Sequence, residues 1–185
     1  MMRILGIDPG TTVTGIGIIE QKKEKIYLIH FDVISLNSKD PLPVRLKKIY
    51  DECLFCISKY KPDEFAIETA FYGKNIQSTL KLGQARGVAI IAALNSNLEI
   101  SEYSPREVKK SVTGSGASSK EQVQYMVRSI LSMREKVMAV DSSDALAVAL
   151  CHYYCRQNKI NTGYTGLSGN SWKNFAERNP GRILK

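Results

Sequence analysis

The sequence AVDSSDALAVAL, residues 139–150, predicts the central helix of this chain. Its second half is apolar and rich in Ala and Leu, which is typical of a helix buried on most of its circumference. Asp141 and Asp144 lie three residues apart at its start, so their side chains share one face. No basic residue stands three or four positions from either acid, and nothing local offsets their repulsion. A divalent cation would offset it; an Asp cap followed by a solvated Asp is the plainer alternative.

The composition predicts one domain with a substantial core, since the chain has 185 residues of which 43% are hydrophobic. The net charge of +8 indicates a polyanionic partner, and nucleic acid, an anionic membrane surface and an acidic protein all fit it. No apolar run approaches the roughly 18 residues of a membrane span. Asp8 comes too early for a secretory signal. We therefore expect a soluble intracellular protein.

The four cysteines indicate a reducing compartment, because they form no dense disulfide framework. Cys53 and Cys56 have the spacing of a zinc ligand pair, but they lie inside a helical pattern without a turn. Cys151 and Cys155 continue a helix in the same way. All four are therefore predicted to be core thiols.

The N-terminal region predicts three consecutive antiparallel strands. Residues 3–8 form a short apolar run that ends in Asp8, and Pro9-Gly10 suits the central positions of a type II turn. Residues 13–19 return as the second strand, whose glycines predict that another element approaches the backbone closely. Residues 25–35 alternate as the third strand.

The next two elements predict that acids from distant parts of the chain meet at one edge of the sheet. Residues 43–60 have the apolar spacing of an amphipathic helix, and residues 64–68 form a short buried strand that ends in Glu68. A strand–helix–strand crossover is right-handed and makes its two strands parallel. Asp8 and Glu68 therefore end neighbouring parallel strands, where open α/β sheets place their sites.

The rest of the domain is predicted to be mainly helical. A long helix over residues 74–95 contains Gly83 and Gly87, whose spacing favours close packing against another helix or another subunit. A strand over residues 98–103 is followed by a helix that begins with a capping box. A hydroxyl-rich loop then leads to a further helix over residues 120–131.

The regular patterns end near residue 157, which divides the chain into a domain over residues 1–157 and a tail over residues 158–185. The tail has five basic residues against one acid, a net charge of +4, which is half of the excess of the chain. It is predicted to be largely unstructured alone. Trp172 and Phe175 would order it on a polyanion or a neighbour; a dispensable solvated terminus is the alternative.

Four acids end an apolar strand or begin an apolar helix: Asp8, Glu68, Asp141 and Asp144. If the helix packs across the parallel end of the sheet, their carboxylates converge with no basic residue nearby in sequence. Such clusters bind hard cations, and Mg²⁺ takes a few carboxylates with water and substrate phosphate. Two ions roughly 3.5–4 Å apart stabilise the entering and leaving oxygens of a phosphodiester displacement. A basic surface around an acidic pit thus predicts metal-assisted cleavage of nucleic acid; a purely structural role for the acids is the alternative.

The chain resembles the RuvC family of Holliday junction resolvases over residues 3–157. The resemblance rests on four motifs: GIDPG at 6–10, AIE at 66–68 with Phe71 three residues later, LKLGQARG at 80–87, and DSSDALA at 141–147. It implies an α/β protein of the RNase H-like fold, with a five-stranded mixed sheet in the order 3-2-1-4-5 flanked by helices. It also implies a homodimer that makes paired symmetric nicks in four-way junction DNA during homologous recombination and DNA repair.

The resemblance further implies roles for individual residues. The catalytic carboxylates that bind two Mg²⁺ per subunit, with Mn²⁺ as a substitute, would be Asp8, Glu68, Asp141 and Asp144. Lys109 and Lys120 would lie near the scissile phosphate and complete the catalytic set. The residues expected to contact DNA are these two lysines together with Phe71, Tyr72, Lys74, Lys81 and Arg86. The resemblance also implies the bacterial cytoplasm, no membrane, and the RuvA–RuvB branch-migration complex as a partner.

Plainer and competing interpretations remain beside this one. Phe71 also suits a core position, and Lys109 and Lys120 also suit solvated helix faces. Residues 6–12, GIDPGTT, resemble the phosphate-binding hairpin of the actin, sugar kinase and Hsp70 group, but those proteins pair two such domains and this chain offers one. A junction-binding module without cleavage needs no set of four acids. A general RNase H-type nuclease that cuts RNA–DNA hybrids is disfavoured only by the extended motif matches.

Overall fold

The structure, a computed structural model, describes residues 1–69, 75–133 and 140–162, with side chains in the last range as far as residue 157. Its strands and helices follow one another in this order: β1 (Met2–Asp8), β2 (Val13–Lys22), β3 (Lys25–Ser35), α1 (Leu42–Tyr60), β4 (Glu64–Glu68), α2 (Ile76–Asn95), β5 (Glu99–Tyr103), α3 (Pro105–Thr113), α4 (Lys120–Ile130) and α5 (Val140–Thr162).

The chain divides into two units, Met1–Tyr154 and Cys155–Lys185, and the sheet and the site described below belong to the first. The sequence-based division at residue 157 stays a prediction. Within the described ranges, no helix combines the length and apolarity needed to cross a bilayer.

The five strands form one mixed sheet in the order β3-β2-β1-β4-β5, as the resemblance implied. β1 and β2 are antiparallel, and so are β2 and β3. β4 and β5 run parallel to β1, because α1 and α2 return the chain to the starting edge before each new strand. The carboxyl ends of β1 and β4 therefore lie side by side.

One face of the sheet is covered by α1 and α2. Side chains alternate along a strand, and Leu5, Ile7, Phe65 and Ile67 point to this face, where they pack in one buried cluster with the inner faces of both helices. The helices contribute Ile49, Cys53, Cys56, Ala85, Ala89, Ala92 and Ala93. The alternate positions, Gly6 and Asp8 on β1 and Ala66 and Glu68 on β4, consequently point to the opposite face.

Helix α5 lies directly on the backbone of that opposite face. A Cβ added to Gly6 would stand 2.3 Å from the carbonyl oxygen of Ala145, and one added to Gly17 would stand 2.6 Å from the amide nitrogen of Leu146. Strands without side chains at these points let the helix approach the sheet closely. The glycines of residues 13–19 thus have the role that their spacing predicted.

Element bounds differ little from those predicted. β2 extends to Lys22, and the register shifts between Ile18 and Ile19 where it pairs with β3. The capping box is present, since the Ser104 hydroxyl accepts from the Glu107 amide and the Glu107 carboxylate accepts from the Ser104 amide. Cys53, Cys56 and Cys151 are buried, and burial raises the pKa of the Cys53 thiol to about 12, as suits a core thiol.

The type II turn predicted at Pro9-Gly10 is wrong. Such a turn needs a positive φ at its second central residue, and Gly10 is not among the described residues with positive φ. A glycine is needed at position 10 because a side chain would not fit there, since its Cβ would lie 1.8 Å from the carbonyl oxygen of Val13. The Gly10 amide donates to Oγ1 of Thr14 and the Thr14 hydroxyl donates back to the Gly10 carbonyl, both at 3.2 Å.

Candidate active site

Asp8 and Glu68 lie side by side at the carboxyl edge of the sheet. Ile7 pairs with Ile67 across the parallel β1–β4 ladder, so the acids are the next residues on both strands. In each strand the acid directly follows a run of buried residues, and the packing of those residues holds the strand end in place. Their carboxylates point to the face that carries α5.

The start of α5 brings two further acids to the same edge. Asp141 lies in its first turn, and its carbonyl oxygen would be 2.0 Å from a Cβ added to Gly15 on β2. Gly15 is the partner of Asp8 across the β1–β2 ladder. Asp144 follows one turn later and is partly buried, as Asp141 is. Acids from three separate elements therefore interact at one place.

The acids raise one another's pKa. Burial is the main cause that raises the pKa of Asp8 to about 8, and the charges of Glu68 and then Asp144 add to it. Burial and the charge of Asp144 raise the pKa of Glu68 to about 7. Burial also raises the pKa of Asp144 itself. Buried carboxylates in mutual repulsion mark functional sites more often than purely structural ones.

Two lysines on other helices act against this repulsion. Nζ of Lys120, at the start of α4, lies 3.1 Å from Oδ2 of Asp144. That carboxylate is the main cause of the raised pKa of Lys120. Lys109 on α3 lowers the pKa of both Glu68 and Asp144 through its charge. The structure thus brings both predicted lysines to the four predicted acids.

The acids are not already arranged as a coordination shell. Across residues 1–69, 75–133 and 140–157, no three His, Cys, Asp or Glu side chains stand in a group that could hold a metal ion as they are placed. Asp144 is paired with Lys120 of α4 in this arrangement.

The predicted DNA-contacting residues have different surroundings. Phe71, Tyr72 and Lys74 lie outside the described residues. Lys81 is exposed on α2, as expected of a residue free to meet a partner. Arg86 is partly buried and forms an ion pair with Glu102 of β5, so its charge is already matched within the chain.

Two residues that hold the turn after Asp8 were not singled out from the sequence. Thr14 is fully buried and bonds both backbone groups of Gly10. Arg45 on α1 donates from Nη1 to the Thr11 carbonyl at 2.8 Å. Thr14 bonds the backbone of a residue only four positions earlier, so its role is local in sequence, whereas Arg45 is 34 residues from Thr11 and carries no local signal.

Fold and site together define an α/β nuclease-like protein of the RNase H-like class. The yeast mitochondrial Holliday junction resolvase has this fold, with a TM-score of 0.59 over 87% of this chain and 84% of its own. At 14% sequence identity that likeness concerns the fold alone. The predicted fold class is confirmed.

The chain belongs to the RuvC family, because the family model for crossover junction endodeoxyribonuclease RuvC matches residues 4–152. The RuvC of Salinibacter ruber is 47% identical over 98% of this chain and 99% of its own length. The RuvC of Chloroherpeton thalassium is 46% identical over the full length of both. The structure of Thermus thermophilus RuvC in complex with Holliday junction substrate has a TM-score of 0.80 at 31% identity, over 85% of this chain and 96% of that one. The family is one of metal-dependent nucleases, and the predicted class of enzyme is confirmed.

Proposed function

We propose that this chain is a structure-selective endonuclease that resolves four-way (Holliday) DNA junctions. It does so by paired, symmetric, Mg²⁺-dependent nicks in homologous recombination and DNA repair. One observation carries the proposal: buried acids from β1, β4 and α5 raise one another's pKa beside Lys109 and Lys120. The likeness to T. thermophilus RuvC bound to junction DNA supports the choice of substrate.

The donor set fits Mg²⁺. All four groups are carboxylates, which are the hard oxygen ligands that Mg²⁺ prefers. Their raised pKa values mean that ionising them together is costly until a cation lies among them. Asp8, Glu68, Asp141 and Asp144 would hold two ions, with Mn²⁺ as a substitute. When bound, the ions supply an activated water and stabilise charge on the attacking and leaving oxygens.

The chain's own residues bind and orient the scissile phosphate. The charge of Asp144 raises the pKa of Lys120 in the metal-free chain, and the ammonium group of Lys120 can pair with a phosphate oxygen. Lys109 brings a second positive charge to the same acids. Both charges stabilise the negative charge that develops on the phosphate oxygens. Water attacks phosphorus in line with the bond to the 3′ oxygen, that bond breaks, and the products carry 5′-phosphate and 3′-hydroxyl ends.

The proposal includes a homodimer built through α2. Its outer face carries exposed apolar side chains, among them Ile76, Leu80, Ile91 and Leu94, of which Ile76 is 75% exposed. Gly83 and Gly87 lie between them in sequence, and among the described residues a Cβ at either would meet nothing within 4 Å. These apolar side chains form a stripe along α2 with small residues at its centre, and such a stripe favours burial against a second copy of the same helix. Two copies related by a two-fold axis would present two sites to opposed strands.

The remaining assignments follow the family. We propose residues 1–157 as the nuclease domain, residues 158–185 as a basic tail, the bacterial cytoplasm as the location, and the RuvA–RuvB branch-migration complex as a partner. Further DNA contacts are assigned to Phe71, Tyr72, Lys74, Lys81 and Arg86. Arg86 would have to exchange Glu102 for a phosphate, which makes it the weakest member of this set.

The test is cleavage of a synthetic four-way junction labelled on each strand. With Mg²⁺ the wild type should nick two opposed strands at symmetric positions, and the products should be sealed by DNA ligase. Asp8→Asn should bind the junction without cutting it. Asp51→Asn is the matched control, because Asp51 is an exposed acid on α1 that pairs with Lys47.

Three results would contradict the proposal. Equal cleavage of linear duplex would exclude selectivity for junctions. Preferential cleavage of an RNA–DNA hybrid would indicate a general RNase H-type nuclease. Tight junction binding with no cleavage by the wild type in Mg²⁺ or Mn²⁺ would indicate a binding module.

A further inference from the structure

Helix α5 lies close against the backbone of β1 and β2. It contacts the backbone at Gly6, Gly15 and Gly17 through groups that include Ala145 and Ala149. Side-chain hydrogen bonds from α5 to the strands add directional contacts to this packing.

At the acidic end of α5, the charges of Asp144 and Asp141 act on Asp8 of β1 with the sign of repulsion. Asp144 is bonded to Lys120, which joins this end of α5 to α4.

The opposite end of the buried part of α5 holds side-chain hydrogen bonds to the strands. His152 lies eight residues after Asp144, roughly 12 Å along the helix. Its Nδ1 is 2.8 Å from Oη of Tyr103 on β5, and its Nε2 is hydrogen-bonded to Oε2 of Glu64 on β4. His152 is 7% exposed, and its ring also packs edge-on against that of Tyr103. One buried side chain thus bonds α5 to two different strands.

The geometry fixes how the imidazole must be protonated. A carboxylate facing Nε2 accepts a hydrogen bond, so Nε2 carries a proton. The Tyr103 hydroxyl donates to Nδ1 in the neutral ring and accepts from it in the charged ring. Both contacts are kept in either case, and the two bonds hold the ring in one orientation.

Each element that His152 joins leads to part of the site. Glu64 begins β4, and Glu68 ends it. Tyr103 ends β5, and the next residue caps α3, which carries Lys109. α5 carries Asp141 and Asp144. We propose that His152 is a positioning residue for the metal-binding acids, which acts by fixing α5 against β4 and β5. The inference rests on the proposed function of those acids.

The test measures metal binding to the DNA-free full chain. Mn²⁺ is titrated and followed by electron paramagnetic resonance, well below the melting temperature of each variant. His152→Leu removes both bonds and should weaken Mn²⁺ binding about fivefold or more, and it should raise the Mg²⁺ concentration for half-maximal junction cleavage by a similar factor. His152→Gln, which keeps one donor and one acceptor, should recover most of the affinity.

The matched control is Leu150→Ala, a fully buried position of the same helix whose side chain is apolar. It should lower the melting temperature at least as much as His152→Leu and leave Mn²⁺ affinity within twofold of the wild type. If Leu150→Ala weakens Mn²⁺ binding as much as His152→Leu, or if neither does, His152 has only a structural role and the proposal is overturned.

Milder variants decide the question if His152→Leu does not fold. Tyr103→Phe and Glu64→Gln each alter one of the two bonds and should each weaken Mn²⁺ binding two- to threefold. Unchanged affinity in both overturns the proposal. A wild-type chain that binds no Mn²⁺ overturns the proposed function itself, so the two failures are distinguishable.

Discussion

Nζ of Lys120 and Oδ2 of Asp144 are 3.1 Å apart, so a lysine occupies one side of a carboxylate that is also proposed to hold a metal ion. The two uses of Asp144 compete, because a cation near the acid repels another cation. Lys120 has an exposed side chain, and it can turn to a phosphate when DNA arrives.

Replacing Lys120 by Met should therefore have opposite effects on metal binding and on cleavage. Loss of one neighbouring positive charge should tighten Mn²⁺ binding to the DNA-free protein by ~1 kcal/mol or less, since the lysine is largely solvated. Junction cleavage should fall about 10²-fold, the usual cost of removing a donor to a charged transition state. Mn²⁺ titration and single-turnover cleavage measure the two effects. Lys110→Met, on the exposed face of α3, should change neither.

Asp8→Asn should stabilise the metal-free protein at alkaline pH. The pKa of Asp8 is raised from 3.8 to about 8, so the folded state holds this proton more tightly than the unfolded state does. Ionisation of Asp8 therefore costs stability as pH rises from about 4 to about 8. The variant cannot ionise here and should melt several degrees above the wild type at about pH 8.5, with the difference shrinking towards pH 5.

Calorimetry or thermal fluorescence on both proteins, with chelator present, measures this difference. Mg²⁺ should raise the melting temperature of the wild type at alkaline pH and raise that of the variant less. A gap between the two proteins that does not change with pH would contradict the assignment of the raised pKa to Asp8.

Ile91→Asp should dissociate the proposed dimer. Ile91 is 50% exposed on α2, and Phe55, at 54% exposed on α1, is its control. Both changes put a charge on an exposed apolar position, so their effects on the folding of one chain should be similar. Sedimentation velocity should show monomers for Ile91→Asp and dimers for Phe55→Asp. Loss of paired nicking should accompany the first variant; dimers in both would exclude α2 as the seam.

Gly6→Ala and Gly17→Ala should each destabilise the fold by ~1–3 kcal/mol, because the added methyl group meets the backbone of α5 and not a movable side chain. Urea unfolding measures the loss. Ser129→Ala, at an exposed position of α4, should stay within about 0.5 kcal/mol of the wild type. Equal stability of all three variants would mean that α5 adapts to the added volume.

Local pattern was enough to predict most of the fold. The alternation at residues 25–35, the capping box at Ser104 and the crossover between β1 and β4 depend on neighbours in sequence or on the fixed hand of such connections. The turn at Gly10 was predicted wrongly because that prediction also used only neighbours in sequence. A glycine after a proline suits a positive φ, whereas the actual demand comes from the carbonyl of Val13 three residues later.

The acids were found because each one ends or begins an apolar run. The bonds that hold them could not be found in this way. The lysine that meets Asp144 is 24 residues away, and Glu64 is 88 residues from His152. Such pairings depend on the packing of α5 across the sheet, which the sequence indicated only through the glycines of β2. Arg45 and Thr11 illustrate the same limit at a distance of 34 residues.

The sheet separates the two proposed surfaces of the molecule, with Asp8 and Glu68 on one side and α2 packed on the other. Between them lie β1 and β4, whose side chains at Leu5, Ile7, Phe65 and Ile67 are fully buried. Substitutions that adjust how two copies associate can therefore accumulate without disturbing the chemistry, and selection can tune each surface on its own. Divergence within the family should accordingly be greater along the outside of α2 than along the glycine side of β1 and β2.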